Sequence, residues 1–365
     1  MPIQTHQTDL VSSVLEIDLR AIAANYTAIQ AHVGKVNVAA AVKADAYGLG
    51  MEQVAPVLWR AGCTNFFIAT LEEGVALRQL LGEARIHVLN GIFAGQETAF
   101  SAFNLTPVLN NFDQARLWRD FASAHATMTA PLLHVDTGMN RLGTPMAEVE
   151  KIIDLRDFHL GGVMSHLACA DTPDHPLNAQ QLSSFQTVVR MFPGVPASLA
   201  NSAGIFLGVD YHFDMVRVGI GLFGEGLSHL TNNSLQPVIR LRSRILQERV
   251  VPAGQTVGYE ATYEVTLERR IVTIAAGYAD GFRTGISNRG HVLIGGEKAR
   301  IVGLVSMDLM TIDVTDIPMH LTTPGEWVEL IGPGMPVDVV AKAGNMLPYE
   351  LLTSLGDRFS RVYRE

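Results

Sequence analysis

From residue 36 to about residue 220 the chain alternates between two textures. Short apolar segments recur at 36–42, 65–70 (NFFIAT), 86–90, 105–110, 132–137, 160–165, 196–201 and 215–220. Between them, MEQVAPVLWRAG, LEEGVALRQLLG, NFDQARLWRDFASAHA and AQQLSSFQTVVRMF set apolar residues three and four apart, the period of an amphipathic helix. Eight strands alternating with helices form the pattern of a (β/α)8 TIM-type barrel, and the count favours it over a doubly wound open sheet. Ahead of them, SVLEIDLRAIAANYTAIQAHVG predicts one further strand and a helix capped near Asp18. That strand falls outside the barrel count and can pair with another part of the chain.

After roughly residue 235 the helical period fades. VIRLRSRILQERVV, QTVGYEATYEV, RIVTIAAGYADG, HVLIGGEKARIVGLVSMD and EWVELIG are strand-like and separated by Gly and Pro turns. The expected organisation is therefore a barrel over 1–235, with its extra N-terminal strand, and a C-terminal mainly β domain over 236–365. A length of 365 residues, 48% of them hydrophobic, suits two domains better than one.

Charge narrows the partners. Against 27 basic side chains stand 36 acidic ones, and the net charge of -9 argues against a nucleic-acid surface or an anionic membrane. A small-molecule substrate fits better. The two cysteines, Cys63 and Cys169, lie in apolar or small-residue settings without Cys/His metal spacing, which suggests a reducing compartment and no bound metal. MPIQTHQTDLVSS has neither the basic start nor the apolar run of a signal peptide, and no segment approaches eighteen uninterrupted apolar residues. A cytoplasmic location is the expectation.

A parallel barrel gathers its chemistry at the C-terminal ends of its strands. The polar residues that close the expected strands are Lys43, Tyr47, Asp136, Arg141, His166, Asn201, Ser202 and Arg217. Lys43 ends an apolar run, where desolvation favours the neutral amine that condenses with an aldehyde. A rim lysine paired with Asp45 is the bland alternative. Ser202 in NSAG and the glycines of RVGIGLFG follow the last two strands, where barrels hold phosphates and glycine lets backbone N–H groups approach an anion. Arg217 inside an apolar strand needs a partner, and a lone His166 is as readily a core histidine. Together a lysine, an anion cradle, an arginine and a histidine on one rim suit pyridoxal phosphate.

AVKADAYGLG, HVDTGMNRLG, MSHLACAD, NSAG, RVGIGLFG, GYADG, GLVSMD and PYELLTSLGDR, in that order, resemble the alanine racemase family over essentially the whole chain. The resemblance implies a fold type III pyridoxal-phosphate enzyme that interconverts L- and D-alanine and supplies D-alanine for peptidoglycan. It implies a homodimer whose two active sites each combine the barrel of one subunit with the β domain of the other. Matched motif by motif, Lys43 holds the cofactor covalently; Tyr47, Ser202, Gly219, Ile220 and Tyr349 contact its phosphate; Arg217 faces the pyridine nitrogen; and His166 lies along the ring. Arg141 binds the phenolic oxygen or the substrate carboxylate. Tyr278 is the second base, reaching across the dimer with Met307.

Two bases match the chemistry, since racemisation removes the α-proton from one face and returns it to the other. Tyr278 can take part if nearby cations lower its pKa from about 10. Three positions depart from the family pattern. Leu49 stands where histidine is commoner. His134 stands where a lysine modified to a carbamate often orients the arginine, which leaves the placing of Arg141 to another anion, such as chloride, or to Asp136. Leu304 stands where an outer arginine is frequent, so a racemase of wider range that also accepts serine is the alternative within the same chemistry. A non-catalytic carrier of pyridoxal phosphate would need only Lys43 and the cradle, and would leave the β domain with Tyr278 unexplained.

Overall fold

All eight expected barrel strands form in the computed structural model, which describes residues 10–125, 129–155, 158–227, 230 and 234–365. The chain divides into two compact units, one of residues 22–236 and one of residues 1–21 with 237–365.

The 22–236 unit begins within helix α1 (Leu19–Val33) and runs through β2 (Asn37–Ala41), α2 (Met51–Arg60), β3 (Asn65–Ile68), α3 (Leu71–Leu80), β4 (Arg85–Val88), α4 (Glu97–Ala102), β5 (Leu105–Leu109) and α5 (Phe112–His125). It continues with β6 (Leu132–Asp136), α6 (Val149–Ile153), β7 (Gly162–Met164), α7 (Pro176–Met191), β8 (Ala197–Ser198) and β9 (Met215–Val218). Neighbouring strands pair in parallel in the order β9-β2-β3-β4-β5-β6-β7-β8. Arg217 N–H to Ala200 O (3.0 Å) and Asp214 N–H to Ala197 O (3.0 Å) bridge the remaining seam from β9 to the β8 side.

Side chains of the strands fill part of the barrel interior. Ala39, Phe67, Val108, Leu132 and Met164 meet at its centre, and the small alanines of β2 leave room for the Phe67 ring. The strands are shorter than the apolar runs suggest, because their last polar residues turn out of the ladder to start loops. NFFIAT stops pairing at Ile68, since Thr70 is already the N-cap of α3 and accepts from Glu73 N–H at 3.3 Å.

In the other unit, β1 (Ser13–Asp18) pairs antiparallel with the long β10 (Ile239–Val251) and parallel with β16 (Ser360–Arg364). The sheet also holds β11 (Arg269–Ile274), β12 (His291–Ile294), β13 (Glu297–Ile301), β14 (Met310–Asp313) and β15 (Trp327–Ile331), in the order β11-β14-β13-β12-β15-β10-β1-β16. The far half of β10 pairs with β11 beyond a bulge between Ile245 and Gln247, so six of these strands form a ring. Gly295 and Gly296, both at positive φ, make the two-residue turn between β12 and β13.

This unit departs from the expected texture in several places. Helices α8 (Val337–Ala343) and α9 (Pro348–Ser354) have no counterpart in the sequence pattern, because seven residues are too few to show a period. MTID (β14) and SRVYR (β16) form strands where the pattern marks none. QTVGYEATYEV yields only Thr256–Val257 and Tyr263–Glu264, around a turn in which Glu260 and Ala261 have positive φ.

Candidate active site

The side chains that close the barrel strands build one polar cluster at their C-terminal ends. Lys43 lies just beyond β2, behind the fully buried Val42. The next four residues, Ala44, Asp45, Ala46 and Tyr47, all lie in the left-handed region, with φ of 52, 52, 53 and 60°. For side chains with a Cβ each such residue costs about 1–2 kcal/mol, so the surroundings must hold the turn. Glu73 does so from α3. Its Oε1 accepts from Ala44 N–H at 2.6 Å, and its Oε2 from Ala69 N–H at 2.7 Å and Thr70 N–H at 3.3 Å. Asp45 closes the far side, its carboxylate accepting from Met51 N–H at 2.7 Å.

The turn aims Tyr47 across the mouth of the barrel. Its ring packs on Phe223, 5.3 Å between centroids, and burial pushes its phenol up to about 12, so it remains a neutral donor. A Cβ added at Gly219 would lie 2.2 Å from the Tyr47 hydroxyl, so this approach requires glycine. Ser202 completes the cradle, its Oγ accepting from Gly219 N–H at 2.8 Å and Gly221 N–H at 3.4 Å. Ile220 is buried at the start of the short turn after Gly219.

Arg217, on β9, is buried, and both terminal nitrogens of its guanidinium are engaged. Its Nη1 donates to Ser198 O (3.0 Å) and Oγ (2.7 Å), and its Nη2 to Ser165 O (2.6 Å), Leu199 O (3.3 Å) and His166 Nδ1 (3.2 Å). Burial lowers its pKa to about 10, which leaves it cationic near neutrality. A permanent donor at Nδ1 requires His166 to carry its ring proton on Nε2. Burial, then Arg217, Arg141, His134 and Lys43 in turn, hold His166 neutral, well below its ordinary pKa.

His134 is neutral as well, at about 4, through burial and the neighbouring Arg217. Asn110 fixes its tautomer. The amide nitrogen of Asn110 donates to Leu89 O (3.0 Å) and Val108 O (2.8 Å), so its oxygen accepts from His134 Nδ1–H at 2.8 Å and leaves Nε2 as an acceptor. Asp136 spends its Oδ1 on Gly138 N–H and Met139 N–H, both 2.9 Å, and so shapes the loop that carries Arg141. Arg141 is exposed at the rim, near enough to Lys43 to lower its amine's pKa. Burial is the larger cause there, and Glu73 opposes both.

Lys43, Tyr47, His166, Ser202, Arg217, Gly219 and Ile220 thus share one rim with Arg141 and His134. Asn201 lies there too, but its side chain serves the backbone, accepting from Gly204 N–H at 2.9 Å. Three basic side chains, Lys43, Arg141 and Arg217, stand at the rim, while the carboxylates of Glu73, Asp136 and Asp45 are turned to backbone N–H groups. The arrangement provides an amine of lowered pKa beside the Ser202–Gly219 turn and a buried guanidinium. Glu73, Asn110 and Gln181 are not among the residues that sequence reasoning singles out. Gln181 donates to His166 O (2.9 Å) and accepts from Ala168 N–H (2.9 Å), holding the loop after β7. Only Glu73 carried a local sign, the Thr-x-x-Glu of a capping box.

The remaining site candidates belong to the other unit. Tyr278 starts a short turn and is 45% exposed; its N–H donates to Ser306 O at 3.0 Å, and Ala279 N–H donates to Met307 O at 3.0 Å. A Cβ at Gly277 would fall 2.4 Å from both of those carbonyl oxygens, so the GYADG turn needs its first glycine. Asp280 is buried and ion-paired with Arg358 at 2.7 Å. Tyr349 sits in the first turn of α9, behind Pro348.

The alanine racemase N-terminal domain model matches residues 17–226, and the alanine racemase C-terminal domain model matches residues 238–363. The chain belongs to the alanine racemase family. Family members named "Alanine racemase, catabolic" and "Alanine racemase, biosynthetic", both from Agrobacterium fabrum, are 44% and 41% identical to it. Each alignment covers 96% of this chain, with 92% and 93% of the relative. A crystal structure of alanine racemase from Bartonella henselae, described with covalently bound pyridoxal phosphate, superposes with a TM-score of 0.93 at 37% identity. It covers 97% of this chain and 100% of that one.

Proposed function

We propose that this chain is a pyridoxal-phosphate-dependent alanine racemase that interconverts L- and D-alanine with two bases, Lys43 and Tyr278, and supplies D-alanine for peptidoglycan. The observation that carries the reading is the rim of the barrel, where an amine of lowered pKa stands beside a glycine-and-serine anion cradle and a buried arginine. These residues fit the cofactor. Lys43 would hold its aldehyde carbon, while Tyr47, Ser202, Gly219, Ile220 and Tyr349 would take its phosphate. Gly219 has room for no Cβ, as close approach of backbone to an anion demands. When bound, the cofactor supplies the electron sink that acidifies the α-proton of the amino acid.

The chain's own residues steer that chemistry. The Arg217 guanidinium stays protonated and would donate to the pyridine nitrogen, which would temper the sink and disfavour transamination. Neutral His166, locked by Arg217, would lie along the ring, and Arg141 would receive the substrate carboxylate or the phenolic oxygen. Lys43 would exchange the α-proton of the amino acid on one face. The hydroxyl of Tyr278 serves the other face, with Met307 beside it, in a site that combines the barrel of one subunit with the β domain of its partner. Exposed Tyr278, Met307, Leu309 and Tyr259 in the second unit support such an interface between copies.

Relatives named catabolic and biosynthetic match the chain almost equally well. Two free cysteines suit the reducing cytoplasm, and no described helix is long and apolar enough to cross a membrane. The test is to load the protein with pyridoxal phosphate, supply L-alanine or L-serine and resolve the products on a chiral column. D-alanine forming fastest supports the assignment. Comparable D-serine would support the broader racemase, and no D-product from either would overturn the reading.

A further inference from the structure

Left-handed backbone over four consecutive residues without glycine is not a conformation the turn after Lys43 keeps unaided. Most of what holds it is local and would move with it: Ala46 N–H to Val42 O (2.9 Å), Gly50 N–H to Asp45 O (2.9 Å) and Met51 N–H to the Asp45 carboxylate (2.7 Å). Glu73 is different. It reaches from α3 to Ala44 N–H with one oxygen, and with the other holds Ala69 N–H and Thr70 N–H at the exit of β3. One carboxylate therefore ties the backbone beside Lys43 to the end of the neighbouring barrel strand.

We infer that Glu73 is a positioning residue for the reaction, fixing the direction of Lys43 and Tyr47 by clamping the strained turn between them to the barrel. The inference rests on the pyridoxal-phosphate reading for its consequence, but not for its structural content. Thr70→Ala is the control, because it removes the hydroxyl that caps α3 and leaves the Glu73 carboxylate in place. Glu73→Gln removes the charge and leaves a single acceptor oxygen for three N–H groups.

The expected result is a rise in the dissociation constant for pyridoxal phosphate in Glu73→Gln on the order of ten- to hundredfold, against less than about threefold in Thr70→Ala. In cofactor-free protein, amide exchange at Ala44–Tyr47 should accelerate in Glu73→Gln alone. Adding Ala44→Gly, which makes left-handed backbone easy at that position, should recover part of both losses. Equal cofactor retention in wild type and Glu73→Gln, or an equal loss in Thr70→Ala, overturns the inference. If Glu73→Gln fails to fold by circular dichroism, the double variant with Ala44→Gly should fold, and one that stays unfolded also refutes the clamp. Wild-type protein that takes up no pyridoxal phosphate overturns the functional reading instead, and exchange at Ala44 still decides the role of Glu73.

Discussion

Arg217→Lys keeps one positive charge at the centre of the barrel and changes only its shape, which makes it a sensitive probe of the site. The native guanidinium makes five hydrogen bonds: to Ser198 O and Oγ, Ser165 O, Leu199 O and His166 Nδ1. It also lies 6.0 Å from the Phe67 ring centroid. An ammonium has three donors on one nitrogen, so at least two of these five hydrogen bonds are lost, although Ser198 keeps its bonds to Ser165 N–H and Met215 O. At about 1 kcal/mol for each lost hydrogen bond, the barrel should lose roughly 2 kcal/mol. That corresponds to a fall of about 4–8 °C in melting temperature. The assay is thermal unfolding of cofactor-free protein at pH 7.5, followed by circular dichroism. Arg190→Lys on an exposed helix face is the control and should move by less than about 0.5 kcal/mol. A melting temperature for Arg217→Lys equal to that control would show that the guanidinium network does not hold the barrel, and would remove the basis for a locked His166.

The buried histidines make stability depend on pH. Burial, aided by neighbouring cations, lowers His87 to about 3 and His134 to about 4, and holds His166 well below its ordinary value, so the unfolded chain takes up each proton first. Stability is therefore complete above pH 6.5 and falls as the pH drops below it, by about 2 kcal/mol per histidine at pH 5. A urea midpoint unchanged between pH 7.5 and 5 would refute the neutral assignments. Gly219→Ala should weaken cofactor retention about tenfold, because the new Cβ displaces the Tyr47 hydroxyl; unchanged affinity by absorbance titration would contradict the cradle. Mixing Lys43→Ala with Tyr278→Phe subunits should restore part of the activity if sites are shared, and no recovery despite proven subunit exchange would count against the shared site.

The barrel was legible because each of its strands carries its own apolar run and most of the intervening segments show a helical period. Even Lys43 stood out, as a costly cation behind VNVAAAV. What escaped had no local sign. SRVYR becomes a strand only because Val14–Asp18, at the other end of the chain, supplies its partner. The left-handed turn escaped for the opposite reason, since Ala44 to Tyr47 include none of the glycines that usually mark such backbone, and its cause is Glu73, 29 positions from Ala44. Asn110 and Gln181 act on His134 and His166 through contacts 24 and 15 positions apart in the chain. Positioning residues of this kind are set by tertiary structure, whereas the groups they position announce themselves by type and place.

Two-base racemisation is tested by giving the cofactor-loaded protein L-alanine in heavy water. Loss of the α-proton is monitored by NMR while the enantiomers are separated on a chiral column. Two bases on opposite faces predict deuterium entering both enantiomers as D-alanine rises to near equality with L-alanine. Exchange into L-alanine with no D-alanine formed would contradict the two-base account, leaving one of Lys43 and Tyr278 to act alone.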